Sequence, residues 1–212
     1  MNSAEIMQML ADIGAITINS HVVLTSGRHT ATYIDKDVLY LHTELTSKLC
    51  QAMANNYDAD QIDVVVGPVM GGVVICQWVA YHLDTRRSSG EILSINAQRE
   101  GIGVDKRLFF NSGQEKFISG KNVLVVEDIL VTGSTTRKVI ELVRSWGGNV
   151  VGLGAIVNRG DIEPEDVGGV PIYALAQVGI ETWTEVECPL CKQRVPINTE
   201  IGWGGRRIGT EK

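Results

Sequence analysis

Glu127 and Asp128 stand side by side at the end of an apolar run, and Thr132-Gly133-Ser134-Thr135 follows four residues later. No other stretch of the sequence is as well equipped for chemistry. The run itself, Val123-Leu124-Val125-Val126, suits a parallel strand covered on both faces. At the carboxyl end of such a strand an α/β sheet opens its ligand crevice. The Thr-Gly-Ser-Thr turn brings backbone N–H groups and hydroxyls to a helix start, where an anion is favoured. Gly133 lets backbone approach a phosphate closely. Two carboxylates just upstream can accept hydrogen bonds from the vicinal hydroxyls of a sugar. A carboxylate directly after a buried run is costly unless it is exposed or partnered. A helix N-cap alone explains the turn but leaves the acids unexplained. A phosphorylated sugar explains both.

Two further segments have chemical potential. Gly67-Pro68-Val69-Met70-Gly71-Gly72 lies between a candidate strand and a candidate helix. By itself this can be just a strand-to-helix turn, or a place where backbone amides exposed at a helix start receive an anion. The segment lacks the Gly-Lys-Ser/Thr of a Walker A loop and is not a dinucleotide fingerprint. Gly152-Leu153-Gly154 fails that fingerprint too, because it lies within a strand-like run. Cys188-Pro189-Leu190-Cys191 has zinc-knuckle spacing, which is half of a site. Cys50 and Cys76 fall in helical segments as buried small hydrophobes. His21, His29, His42 and His82 form no obvious second half. For Cys188 and Cys191, zinc, a site shared across a dimer and a reduced pair in a tail turn all stay open.

The elements that must position these residues alternate. Helices are expected at 4–10, with Ser3 as N-cap, and at 43–56, 73–83 and 135–146. Strands are expected at 62–66, 92–97, 123–126, 150–157 and 172–175, and short ones at 22–24 and 32–34 around a Ser26-Gly27-Arg28 turn. Strands alternating with helices predict an α/β fold with a mainly parallel, twisted sheet flanked by helices. Residues 98–121 break the rhythm. They read as a long loop or a two-stranded flap around Leu108-Phe109-Phe110, of a length that is often functional. The stretch from Glu181 onward is polar and irregular, with fraying expected after Ile201.

A chain of 212 residues fits one domain, 1–212. The net charge of -6 argues against a nucleic-acid partner. No apolar run approaches the roughly 20 residues that span a bilayer. The N-terminus lacks a basic segment followed by an apolar one. A cytoplasmic protein with no membrane partner is expected.

The segment 123–135 resembles the 5-phosphoribosyl-1-pyrophosphate (PRPP) motif of the type I phosphoribosyltransferases: apolar strand, two acids, a short apolar stretch, then Thr-Gly-x-Thr/Ser. The resemblance implies that Glu127 and Asp128 bind the ribose hydroxyls. It also implies that Thr132, Gly133, Ser134 and Thr135 hold the 5′-phosphate, and that Gly71 and Gly72 belong to the pyrophosphate loop. Within that family the chain looks most like the orotate enzymes. Leu24-Thr25-Ser26-Gly27-Arg28-His29-Thr30, with Tyr33 and Asp35, matches their N-terminal segment, so that Ser26, Gly27 and Arg28 would serve the base pocket. Ala155-Ile156-Val157-Asn158-Arg159-Gly160 ends in an arginine that would pair with the substrate carboxylate, a contact suited to a planar guanidinium. Ala97-Gln98-Arg99-Glu100 resembles the start of the mobile catalytic loop. Arg99 would then be catalytic, and Lys106 and Arg107 would supply further charge.

The resemblance therefore implies an N-terminal hood over 1–40, a flexible loop over 98–121, a C-terminal tail over 181–212 and a homodimer. Mg²⁺ would be carried by pyrophosphate rather than ligated by side chains. The implied reaction is transfer of phosphoribose from PRPP to a base, orotate first. The alternatives are a purine base or a non-catalytic PRPP-binding regulator. The chain departs from the orotate pattern at Gln98, where a second basic residue is common, at Thr25, where many relatives carry lysine, and at Val131, where threonine is usual; its loop is also poor in lysine.

Overall fold

A computed structural model describes residues 1–101 and 107–202 of the chain. Helix α1 (Ser3–Asp12) is capped by Asn2, one residue earlier than the Ser3 cap the sequence suggests. The Asn2 side chain accepts from the Glu5 amide and the Glu5 carboxylate accepts from the Asn2 amide, both at 2.9 Å, which is a capping box. Four two-residue strands follow: β1 (Ile16–Thr17), β2 (Val22–Val23), β3 (His29–Thr30) and β4 (Tyr33–Ile34). β2 pairs with β3, and β1 reaches over to β4. The Ser26-Gly27-Arg28 turn is tight enough to make His29 and Thr30 the partners of Val22 and Val23, with Gly27 at φ 79° and Leu24 N bonded to Arg28 O at 2.8 Å.

Helix α2 (Lys36–Leu41) is absent from the sequence expectation. Its six residues are too few to show a helical period, yet Asp35 caps it by accepting from the Asp37 amide at 3.0 Å. Helix α3 (Thr43–Ala54) and the βα units then build the main layer: β5 (Val64–Pro68), α4 (Gly71–Asp84), β6 (Leu93–Glu100), β7 (Arg107–Phe109), β8 (Asn122–Leu130), α5 (Ser134–Ser145), β9 (Asn149–Asn158) and β10 (Ile172–Gln177). The sheet order is β10-β9-β8-β5-β6-β7, with every pair parallel except β6–β7. That last pair is the two-stranded flap, with Arg99 opposite Leu108.

Side-chain alternation along β8 sends Leu124 and Val126 into the core shared with α1, α3 and α4. Val123 and Val125 enter the core under α5. Cys50 and Cys76 are fully buried in α3 and α4. Burial raises the Cys50 thiol to about 12 and the Cys76 thiol to about 11.

The chain leaves β5 through α4 toward β6, and leaves β8 through α5 toward β9. Adjacent strands thus send their connections in opposite directions, and a crevice opens between their carboxyl ends. Pairing of β5 with β8 stops at Val66 opposite Val125, while β8 runs on to Leu130 along β9. The sequence ends this strand at Val126. The ladder carries it four residues further because β9 offers partners as far as Asn158.

Over 181–202 the tail is irregular apart from one short helix, yet it is tied down, and the stretch beyond Gly202 where fraying is expected lies outside the described residues. Trp183 bridges to His29, α6 (Pro189–Lys192) follows, and Asn198 N donates to His21 O at 2.7 Å. The sequence leaves His21 and His29 without any relation to Cys188 and Cys191. The structure overturns this, because the β2–β3 hairpin brings the two imidazoles together and the tail lays both thiols against them.

Candidate active site

Both acids lie inside β8, past the last residue paired with β5, with Glu127 9% and Asp128 3% exposed. They are more buried than their sequence position suggests, because α2 covers the strand's end. Lys36 and Tyr40, four residues apart on α2, both reach Asp128 Oδ2. The ammonium sits at 3.0 Å and the phenol donates at 2.5 Å. Asp128 Oδ1 accepts from the Ile129 amide at 2.6 Å. A carboxylate has about four lone-pair positions, so Asp128 keeps one on Oδ1. Glu127 Oε1 accepts from the Asp128 amide at 3.2 Å, which leaves Oε2 for a further donor. A diol could use both remaining positions.

Burial, and then the charge of Asp128, raise the Glu127 carboxyl well above its ordinary value. The same two causes hold the Tyr40 proton far above the usual phenol range, so Tyr40 acts as a donor. Burial works against the Lys36 ammonium, but the charge of Asp128 and its hydrogen bond outweigh it, and the net shift is upward.

Gly71 is what allows this packing. A Cβ on it would lie 1.8 Å from Asp128 Oδ2 and 2.7 Å from the Tyr40 hydroxyl. Gly67 and Gly72 are similarly locked, since a Cβ on Gly67 would meet Gly72 O at 2.4 Å. Gly71 and Gly72 therefore bring the first amides of α4 directly beside the acid pair.

The turn at 132–135 connects the end of β8 to α5. Gly133 takes φ 66° and starts α5, while Thr132 and Ser134 are exposed with their hydroxyls 3.0 Å apart. The Ser134 amide makes only a long 3.4 Å contact to Thr132 Oγ1. Among the described residues, the amides of Gly133 and Thr135 have no acceptor. The turn thus keeps its donors available.

Arg159 follows β9, with its amide bonded to Leu130 O at 3.0 Å, which puts it beside the exit of β8. Its guanidinium is buried, and Nη2 has no hydrogen-bond partner among the described residues. Burial lowers its pKa, with the nearby Tyr33 acting in the opposite sense. Tyr33 lies within electrostatic reach of both Arg159 and Lys36. Ser26, Gly27 and Arg28 form the β2–β3 turn. There Arg28 donates to Thr182 Oγ1 at 2.8 Å and to Thr182 O at 2.6 Å. No hydrogen bond or ion pair joins this turn to Glu127, Asp128 or Arg159 among the described residues. Arg99 is exposed on the flap. Lys106 lies outside the described residues.

Lys36 and Tyr40 escaped the sequence reading. The signal was present in their i, i+4 spacing behind the Asp35 cap, but it means little until α2 is seen folded over β8.

The family described as "Phosphoribosyl transferase domain" matches residues 37–170, and the chain belongs to it. The fold and the switch-point site thereby define a phosphoribosyltransferase. Among its relatives, "Orotate phosphoribosyltransferase" of Desulforamulus reducens is 36% identical over 98% of this chain and 100% of its own length. The protein of that name from Caldicellulosiruptor bescii is 35% identical, over 93% of this chain and 96% of its own. Of solved structures, the orotate phosphoribosyltransferase of Aeropyrum pernix superposes with a TM-score of 0.61 at 24% identity, covering 80% of this chain and 92% of that one. Among the described residues, no helix is long and apolar enough to cross a membrane.

Proposed function

We propose that this chain transfers the 5-phosphoribosyl group of PRPP to orotate, giving orotidine 5′-monophosphate and pyrophosphate. The observation that carries the choice of base is Arg159. A buried guanidinium with an unpartnered Nη2, beside the exit of the strand that bears the acids, calls for a fixed anion, and orotate's carboxylate is one. Glu127 and Asp128 would take the ribose hydroxyls. The amides and hydroxyls of Thr132, Gly133, Ser134 and Thr135 would take the 5′-phosphate, and the amides of Gly71 and Gly72 the diphosphate.

The residues fit Mg²⁺ held by the diphosphate. Asp128 Oδ2 is already engaged by Lys36 and Tyr40, so the acid pair is not an open carboxylate cage. When bound, the ion would neutralise charge on the departing pyrophosphate. The C1–O bond breaks with its electron pair going to pyrophosphate, and the C–N1 bond forms from the opposite face as the N1 proton departs. The chain supplies position and electrostatics. Arg99 on the flap would add positive charge over the leaving group and help to exclude water. A homodimer would let such a flap serve a neighbouring site.

The test is pyrophosphate release from PRPP with Mg²⁺ and a panel of orotate, adenine, hypoxanthine and xanthine. Turnover of orotate alone is expected. Turnover of a purine in its place would refute the base assignment, and PRPP binding with no turnover of any base would make the protein a regulator.

A further inference from the structure

His21, His29, Cys188 and Cys191 offer four ligand atoms that all lie within 4.8 Å of one another. We propose that they form a structural zinc site that staples the C-terminal tail to the β2–β3 hairpin. The site is separate from the crevice at β8 and does not depend on which base the enzyme uses.

The sulfur–nitrogen distances approach those of a tetrahedral centre. Zinc bonds of about 2.3 Å to sulfur and about 2.05 Å to nitrogen, at tetrahedral angles, put S and N roughly 3.6 Å apart and two N atoms roughly 3.3 Å apart. Here Cys188 Sγ is 3.7 Å and Cys191 Sγ 3.6 Å from His21 Nε2, and Cys191 Sγ is 3.4 Å from His29 Nδ1. The two nitrogens, His21 Nε2 and His29 Nδ1, stand 2.8 Å apart. They need to separate only by about half an ångström to admit the ion. None of the four cysteines is in a disulfide.

The ligand set and its surroundings point the same way. Two thiolates and two imidazoles in a compact tetrahedron select zinc among common divalent metals. Cys-x-x-Cys is the usual knuckle spacing, and here α6 starts within it. His21 Nδ1 lies 2.7 Å from Val195 O, so it donates there and presents Nε2 toward the cluster. That backbone carbonyl is the outer partner expected of a ligating histidine. Three of the four residues are buried and four ligands close the shell, leaving no open position for substrate. Both thiols would bind as thiolates and release their protons.

The surrounding contacts show what the ion would secure. Trp183 pairs with His29, Asn198 binds the His21 carbonyl, and a Cβ on Gly202 would press to 2.7 Å against Val22 Cγ1 and Val23 O. The tail therefore rests on a hairpin of two two-residue strands, which is too short to hold its shape alone. The same hairpin carries the Ser26-Gly27-Arg28 turn, and Arg28 grips the tail at Thr182.

Metal analysis of the untagged chain, purified with reductant, decides the matter. About one zinc per chain is expected. A Cys188→Ser/Cys191→Ser double variant should lose it, whereas Cys50→Ala, in α3, should retain it. Cobalt(II) added to the stripped protein should give the intense visible bands of a tetrahedral site with thiolate ligands. Removing zinc should lower Tm by at least about 5 °C. Wild-type protein that carries no zinc and gives no tetrahedral cobalt spectrum would overturn the proposal, as would a Cys188–Cys191 disulfide under reducing purification. If the double variant fails to fold, the wild-type zinc content and cobalt spectrum still decide.

Discussion

Replacing Arg159 by Met separates a substrate-binding arginine from a structural one, because the two roles predict opposite signs in two assays. Methionine keeps an unbranched apolar stem of similar reach and removes only the charged fork. In the described structure the buried fork has Nη2 unpartnered, so its removal deletes a desolvated cation rather than an ion pair. Stability should stay level or rise, which is unusual for a buried position. In the complex the fork would make two charge-assisted hydrogen bonds of about 1.5–3 kcal/mol each. Allowing for incomplete loss, about 3–4 kcal/mol of binding disappears. At about 1.36 kcal/mol per tenfold, kcat/KM for orotate should fall roughly 10²–10³-fold. Uracil lacks the carboxylate, so its far lower rate should barely change and the preference for orotate should collapse. The assays are steady-state kinetics on both bases and a thermal melt of each protein. A loss under about threefold on orotate, or a melt several degrees lower, would refute the assignment of Arg159.

Glu127→Gln should raise Tm at neutral pH. Burial and Asp128 raise the folded carboxyl, so the stability associated with its neutral form is complete below 4.5 and is lost as pH climbs through the raised value. Glutamine carries no charge at any pH, so its advantage of about 1–2 kcal/mol should be present at neutral pH and vanish toward pH 4.5; melts across that range check it, and a variant less stable at every pH would contradict the shift. Gly71→Ala should do damage far beyond one methyl group, because the new Cβ would overlap Asp128 Oδ2 at 1.8 Å. Overpacking of this kind costs about 1–3 kcal/mol, and a displaced Asp128 should reduce kcat/KM more than about tenfold. Wild-type melting and kinetics in that variant would show that Gly71 is not held against the acid.

Local sequence determined a good deal. The apolar runs at 64–66 and 123–126, each followed by a glycine-containing turn and an amphipathic helix, required buried parallel strands and helix starts, because period and turn chemistry act over a few residues. The acid pair and the Thr-Gly-Ser-Thr turn were legible for the same reason, since both belong to one strand–turn–helix. Tertiary structure alone decided the rest. The length of β8 depended on β9, a partner some 27 residues away in its register. Lys36 and Tyr40 became partners of Asp128 only when a six-residue helix, too short to announce itself, folded across the strand's end. His21 and His29 are separated from Cys188 and Cys191 by more than 150 residues, and no local pattern could join them. Contacts at that sequence separation form because distant surfaces bury each other, and a one-dimensional pattern does not contain that information.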